Sequence, residues 1–378
     1  MIKVINSKKD KEQYIDLIRY CFYIHERQSN FLKQLNKDSY AFGYFQDKNL
    51  KAAMISHSFT YNLWGQTIAG NGIGAVATYP ELRNSGLISK LFELELKKQY
   101  KNNQLVSTLY PFKFSFYRKF GYGSLGHYKI INIDPKQISI KKINHGYFKQ
   151  YNTNLADKVY FLFNTWACNY DFGIVRDKNE KNSIFETYKS KSIHNYVYFD
   201  NKGSVKGFIK YEIKEKTKFS KIIYIKYISW KDKEAFEDLL AFLYFHRDQC
   251  IEVEWTLPQN IPVELYFNEP RIEQKYVFSW MARPVNLLKL IELKIKNINV
   301  NRPFYFSVKD NYIEENTGTY YIDRSEVTKK EYTGENDLFL SDLSSMLFGA
   351  YTANELSIDM DCEFFNTKND NIFISEFF

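Results

Sequence analysis

Two stretches hold residue types in an order that chemistry could use. The first is Val76-Ala77-Thr78, followed after Tyr79-Pro80-Glu81-Leu82 by Arg83-Asn84-Ser85-Gly86-Leu87-Ile88-Ser89. A strand that enters a helix through an Arg-x-x-Gly turn presents unpaired backbone N–H groups and the positive end of the helix dipole to whatever sits there. That is an anion site, and phosphate is its usual guest. The second stretch is FYRKFGYG, residues 116–123, an aromatic turn that ends in a Phe-Gly-Tyr-Gly corner.

The surrounding pattern supplies elements to hold both stretches. Ser7 is a plausible N-cap for a helix through about Ile24, with Tyr14, Ile15, Leu17, Ile18, Cys21 and Phe22 at helical spacing. A short second helix is expected at Phe31 to Leu35. Strands follow at Ser39 to Gln46, Leu50 to Trp64 and Thr67 to Thr78, the first two joined by an Asp47-Lys48-Asn49 turn. A helix from Gly86 to about Tyr100 places Leu87, Leu91, Leu94 and Leu96 in an apolar stripe. Strands at Gln104 to Tyr110 and Gly126 to Ile133 complete a first domain, expected over residues 1–134.

Between 135 and 276 the order recurs. A helix near Asn154 to Cys168 is followed by strands at Asn195 to Phe199, Val205 to Ile213 and Lys221 to Trp230, a helix at Lys233 to Tyr244 and a strand at Ile251 to Trp255. The recurrence of three strands, helix and strand implies a structural repeat. Its helix start, YISWKDKEAFEDLLAF, has no Arg-x-x-Gly turn, and Glu234, Glu237 and Asp238 crowd it. Carboxylates suit the helix dipole but repel phosphate, so this copy is expected to bind no phosphorylated cofactor. A third domain is expected over 277–378: a strand at Val277 to Met281, a helix at Val285 to Leu293, strands at Phe304 to Lys309, Gly318 to Asp323 and Glu326 to Tyr332, and a helix at Ser341 to Phe348. The chain ends NIFISEFF, apolar where most chains turn polar, which points to a buried tail.

The 378 residues exceed what one core usually supports. Of these, 52 are Lys or Arg and 44 Asp or Glu, a net charge of +8, but the basic residues are interleaved with acids and no nucleic-acid-binding signature is present. The four cysteines, at 21, 168, 250 and 362, lie too far apart for a metal knuckle or a CxxC pair, and reduced, mostly buried thiols are expected. No metal, nucleic-acid or membrane partner is therefore expected. The N-terminus lacks the apolar segment of a signal peptide, and no run approaches the ~20 apolar residues of a span, so the expected location is cytoplasmic.

Val76-Ala77-Thr78-x-Pro80-x-x-Arg83-x-x-Gly86-Leu87-Ile88 resembles the acetyl-CoA-binding segment of the GNAT superfamily of N-acetyltransferases. With FYRKFGYG and the aromatic C-terminus, the whole chain is similar to the Eis (enhanced intracellular survival) group. The resemblance implies an α/β (α+β) chain of two tandem GNAT-fold domains, the second degenerate, plus a C-terminal sterol-carrier-like α+β domain. It implies acetyl-CoA as co-substrate, held by Val76, Ala77, Thr78, Arg83, Asn84, Ser85, Gly86, Leu87, Ile88 and Ser89. It makes Tyr117 the general acid and the α-carboxylate of Phe378 the general base, with Glu376 a second candidate and Tyr122 structural. It also implies a homo-oligomer, a hexamer. The acceptor would be a primary amine: an aminoglycoside, a polyamine or a lysine-like group. Phe377 stands where mycobacterial members carry an acidic residue, and an acidic acceptor-binding position falls near Ile24, with His25 and Glu26 close by. The competing reading is a hydrophobic-ligand carrier using the C-terminal domain, its acetyltransferase modules inactive.

Overall fold

A computed structural model describes residues 1–22, 39–178, 192–218, 220–278, 280–298, 300–360 and 362–374. His25 and Glu26, the helix expected at 31–35, and Glu376, Phe377 and Phe378 lie outside the described residues. The chain divides into two compact units, one of 1–126 with 279–369, the other of 127–278 with 370–375.

In the first unit, strands β1 (Ile2–Val4), β2 (Ser39–Gln46), β3 (Asn49–Leu63), β4 (Gln66–Thr78), β5 (Val106–Leu109), β6 (Gly123–Ser124) and β15 (Met281–Pro284) form a sheet ordered β1-β2-β3-β4-β5-β15-β6. Neighbours in β1 to β4 are antiparallel; β4 and β5 are parallel. Helix α1 (Lys8–Phe22) covers one part of the sheet through Tyr14, Leu17 and Ile18, which pack with Ala41, Ala53 and Ala77. Helix α2 (Leu87–Lys101) buries Leu87, Leu91, Phe92 and Leu96 against Ala52, Met54 and Ile73. A short helix α3 (Phe114–Arg118) leads into the FGYG corner.

The second unit repeats the plan. Strands β7 (His127–Ile133), β8 (Gly146–Gln150), β10 (Ile193–Asp200), β11 (Val205–Thr217), β12 (Ser220–Trp230), β13 (Glu252–Leu257) and β14 (Glu273–Phe278) form a sheet ordered β14-β7-β13-β12-β11-β10-β8, and β12 and β13 are again the parallel pair. Helices α4 (Ala156–Ala167) and α5 (Lys233–Tyr244) pack on it; β9 (Ile174–Val175) follows α4.

Linear order and pairing part company at two strands. The sequence reading closes the first domain with the segment that becomes β7, and draws one strand across Val277 to Met281. In the structure β7 lies between β13 and β14, and two separate strands, β14 and β15, replace the single one. Strand β15 lies between β5 and β6. In both sheets the parallel closing strand leaves an open edge, and an antiparallel strand from elsewhere in the chain satisfies its backbone groups. Nothing local in a four-residue strand says which edge it will cover.

The remaining part of the first unit contains α6 (Leu287–Ile295), a sheet of β16 (Phe304–Val308), β17 (Gly318–Asp323), β18 (Glu326–Lys330) and β19 (Asp337–Leu338), and helices α7 (Leu340–Leu347) and α8 (Glu363–Asn366). The tail is buried where it is described: Ile372, Phe373 and Ile374 are inside, Ile372 bridges Asp171, and Phe373 packs on Trp166 and Tyr170. No described helix is long and apolar enough to cross a membrane.

Candidate active site

Strand β4 carries a bulge. Its register against β3 skips between Ala53 and Ile55, and Ala75 takes a φ of 47°, a left-handed conformation that bends the strand. The parallel ladder to β5 runs only from Gly70↔Val106 to Ile73↔Leu109, while β4 continues to Thr78. The two strands therefore part beyond Ile73. Residues 74–78, including Val76, Ala77 and Thr78, keep one edge of backbone outside that ladder, the kind of row an extended polar chain can pair with.

The turn that follows lies beside this opening. Pro80–Leu82 form one 3₁₀ turn, Arg83 is extended, and Asn84 and Gly86 have φ of 64° and 79°. The left-handed Gly86 is the N-cap of α2 and has no side chain to cap the first amides. Open space surrounds the position where its Cβ would be. Arg83, Asn84, Ser85 and Gly86 are exposed, and Ser85 Oγ turns back to donate to Leu82 O at 2.5 Å. Uncapped amides, a helix dipole and an exposed guanidinium together suit a pyrophosphate. The residues present thus fit acetyl-CoA, with backbone from Val76 to Thr78 for its amide-bearing arm.

The second copy has closed the equivalent place. At the start of α5, Asp232 Oδ1 accepts from Ala235 N at 3.0 Å, and Asp232 Oδ2 holds Lys206 Nζ at 2.7 Å. A carboxylate occupies the helix end where the first copy leaves it open.

Tyr117 is on α3 and is 3% exposed. Its ring packs edge-on to Phe92, Phe112 and Phe116, in the same cluster as Leu87, with Val76 and Ile88 against it. The structure thus brings Tyr117 together with the end of β4 at Val76 and the start of α2 at Leu87 and Ile88. Burial pushes its phenol well above the usual range, with Tyr122 adding to it, and no hydrogen bond to a described residue offsets this. A phenol so placed stays protonated at neutral pH. Tyr122 differs: it is fully buried and its hydroxyl is 2.7 Å from Ser107 Oγ, a closed pair.

One feature of α2 is the reverse of the expected stripe. Leu94 is exposed and Glu95 is fully buried. Glu95 accepts from Tyr40 Oη at 2.7 and 2.6 Å, from Ser56 Oγ at 2.7 Å and from Gln99 Nε2 at 3.0 Å. Asn71 Nδ2 donates to Ser56 Oγ at 2.7 Å, so the cluster ties α2 to β2, β3 and β4 beneath the opening. Burial raises the Glu95 carboxyl, and the donors from Tyr40, Ser56 and Gln99 oppose it. Helical periodicity alone cannot flag such a residue, because its partners lie 39 and 55 positions away.

Among the described residues no cluster of three or more His, Cys, Asp or Glu could hold a metal ion. Of the cysteines, Cys250 and Cys362 are buried, Cys21 is half-buried and Cys168 is exposed.

Residues 3–125 match the family model of an acetyltransferase (GNAT) domain, residues 174–284 match a second acetyltransferase (GNAT) domain, and residues 287–358 match a sterol carrier protein domain. No curated protein matches the chain. Among solved structures, it is similar to a GCN5-related N-acetyltransferase from Anabaena variabilis (TM-score 0.84, 19% identity, 100% of each chain covered). It is similar to Eis1 from Mycobacterium abscessus (TM-score 0.79, 15% identity, 100% of each chain). A probable N-acyltransferase from Enterococcus faecalis V583 also shares the fold (TM-score 0.78, 22% identity, 94% of this chain and 91% of that one). The chain is therefore an acetyltransferase built from two GNAT domains and a sterol carrier protein domain.

Proposed function

We propose that the chain is an Eis-like N-acetyltransferase that moves an acetyl group from acetyl-CoA to a primary amine of an aminoglycoside, a polyamine or a lysine-like acceptor. The observation that supports this best is the opening between β4 and β5 beside the uncapped start of α2, with Tyr117 packed under it. Arg83 and the amides of Asn84 to Ser89 hold the pyrophosphate, and Val76, Ala77 and Thr78 align the arm that ends in the thioester. The amine nitrogen attacks the thioester carbon, the C–S bond breaks, and Tyr117 Oη gives its proton to the departing thiolate. The α-carboxylate of Phe378 first takes a proton from the acceptor's ammonium, freeing the lone pair that attacks, and the second proton, shed by nitrogen as the amide forms, restores the Tyr117 phenol. A carboxylate near pKa ~3.5 becomes a useful base only where apolar surroundings raise it. The burial of Ile372, Phe373 and Ile374 supports a tail held in such surroundings. The assembly is a homo-oligomer, a hexamer by its resemblance, which light scattering can check.

Isothermal titration with acetyl-CoA, followed by thiol release across aminoglycosides, polyamines and lysine peptides, tests the reading. Binding with amine-dependent thiol release is expected. Absence of acetyl-CoA binding would return the carrier reading. Deleting Phe377 and Phe378, or extending the chain beyond Phe378, should abolish turnover and spare acetyl-CoA binding; full activity in the extended chain excludes the terminal carboxylate as base.

A further inference from the structure

The corner that carries Tyr117 is tied to its own helix and to the C-terminal domain at the same time. Phe120 N and Tyr122 N both donate to Tyr117 O, at 3.0 and 3.4 Å, and Gly121 N donates to Arg118 O at 2.9 Å. The carbonyls on the other side of this turn point away from α3. Phe120 O accepts from Arg283 Nη1 at 2.5 Å, and Gly121 O lies 2.8 Å from Ser344 Oγ on α7, which shares its single proton between that carbonyl and Leu340 O at 2.6 Å. Arg118, one residue after the tyrosine, pairs with Asp342 on α7 at 2.7 Å.

Arg283 is itself fixed. Its guanidinium is fully buried, donates through Nε to Pro284 O at 3.1 Å and forms an ion pair with Asp310, which is equally buried. Asp310 also accepts from Tyr312 N, Ile313 N and Asn316 Nδ2, at 3.0, 3.1 and 2.9 Å. The ring of Tyr312 then packs on Phe120 at 5.2 Å. Glycine is required at the contact: a Cβ on Gly121 would meet Leu340 at 2.5 Å, and one on Gly123 would meet Ser341 O at 2.3 Å and Ser345 N at 2.6 Å.

We propose that the C-terminal domain is a working part of the acyl-transfer site: Ser344, Asp342 and Asp310, the last acting through Arg283 on β15, are positioning residues that set where Tyr117 stands. The inference rests on Tyr117 being the acid in the function proposed above. The domain's contacts converge on the carbonyls of the corner and on Arg118, the groups that fix the direction of α3. Small movements of an acid relative to its leaving group have large effects on rate.

Ser344→Ala and Asp342→Asn each remove one tie and leave the buried ion pair intact. Ser307→Ala, which breaks the buried 2.9 Å contact to Thr319 in the same domain, is the control for lost stability. Amide hydrogen exchange over residues 116–123 is read without ligand, and kcat is compared with the acetyl-CoA Kd. Each tie variant is expected to exchange about three- to tenfold faster in the corner and to lose about three- to tenfold in kcat, with Kd unchanged. The control should show neither change. Wild-type exchange and kcat in both tie variants, or an equal fall in kcat in Ser307→Ala, would overturn the inference. If the wild-type chain acetylates no amine, the proposed function fails while the exchange measurement still decides whether these residues hold the corner.

Discussion

Ser107 Oγ and Tyr122 Oη share a 2.7 Å hydrogen bond inside the core of the first unit, so the second tyrosine of FYRKFGYG is closed off from chemistry. Tyr117, five residues earlier, also packs edge-on to Phe92 but has no such hydrogen bond among the described residues. The two should respond differently to loss of a hydroxyl. Tyr117→Phe is expected to lower kcat by about 10²- to 10⁴-fold with acetyl-CoA affinity near wild type. Tyr122→Phe leaves Ser107 without its partner and should cost roughly 1–2 kcal/mol of stability, with kcat changed little. Steady-state kinetics with urea denaturation separates these outcomes; an unchanged kcat in Tyr117→Phe would make that residue a packing group.

The turn before α2 gives a second expectation, on binding rather than rate. Arg83 is exposed and makes no side-chain hydrogen bond or ion pair among the described residues, which leaves its guanidinium available to an anion. Arg83→Ala should weaken acetyl-CoA binding about tenfold, and the difference should shrink as salt is raised. Gly86 sits at φ 79° with open space where a Cβ would stand, so Gly86→Ala meets backbone strain and no clash. A cost of about 1–2 kcal/mol is expected, and it should fall on the start of α2. Titration calorimetry at two ionic strengths checks the first, and thermal unfolding the second.

Much of this site was legible because its signals are local. The Arg-x-x-Gly turn, the amphipathic α2 and the FGYG corner each lie within one short stretch, and so do α5 at Lys233–Tyr244 and β17 at Gly318–Asp323, whose bounds match the sequence reading. What stayed hidden depends on partners far along the chain. Arg283-Pro284 falls between the expected strand and helix with nothing to mark it, yet Arg283 is fully buried because Asp310, 27 residues on, neutralises it. Glu95 lies outside the expected apolar stripe of α2, and Tyr40 and Ser56, which satisfy its carboxylate, lie on β2 and β3 far back in the sequence. The exchange of β7 and β15 is hidden for the same reason: short strands carry no mark of the edge they will cover.

The contact between Gly123 and α7 makes a prediction about stability. A methyl group at 123 would stand 2.3 Å from Ser341 O and 2.6 Å from Ser345 N, both backbone atoms that cannot rotate away. Helix α7 must shift or the corner must open. Gly123→Ala is expected to lose about 1–3 kcal/mol, the usual cost of overpacking a core. Because the displaced element holds the Tyr117 corner, kcat should fall with it. Melting temperature and turnover measured on one preparation test both; a variant as stable and active as the wild type would show that α7 and the corner move freely past each other.

His57 supplies a pH dependence. It is 8% exposed, its Nδ1 is 2.7 Å from Ser39 Oγ, and burial lowers its pKa from 6.5 to about 4. The unfolded chain therefore binds a proton more readily than the folded one between those values, and stability falls as pH drops from about 6.5 through about 4. Glu95 acts in the opposite sense: its raised carboxyl makes the folded chain the better proton acceptor, a contribution present at low pH and lost as pH rises through the folded pKa. Replacing the histidine isolates its share. His57→Asn should flatten the acid limb, so that between pH 7 and 4.5 it loses about 2–3 kcal/mol less stability than the wild type. Urea denaturation at the two pH values measures the difference, and parallel losses in variant and wild type would show that His57 is protonated in the fold.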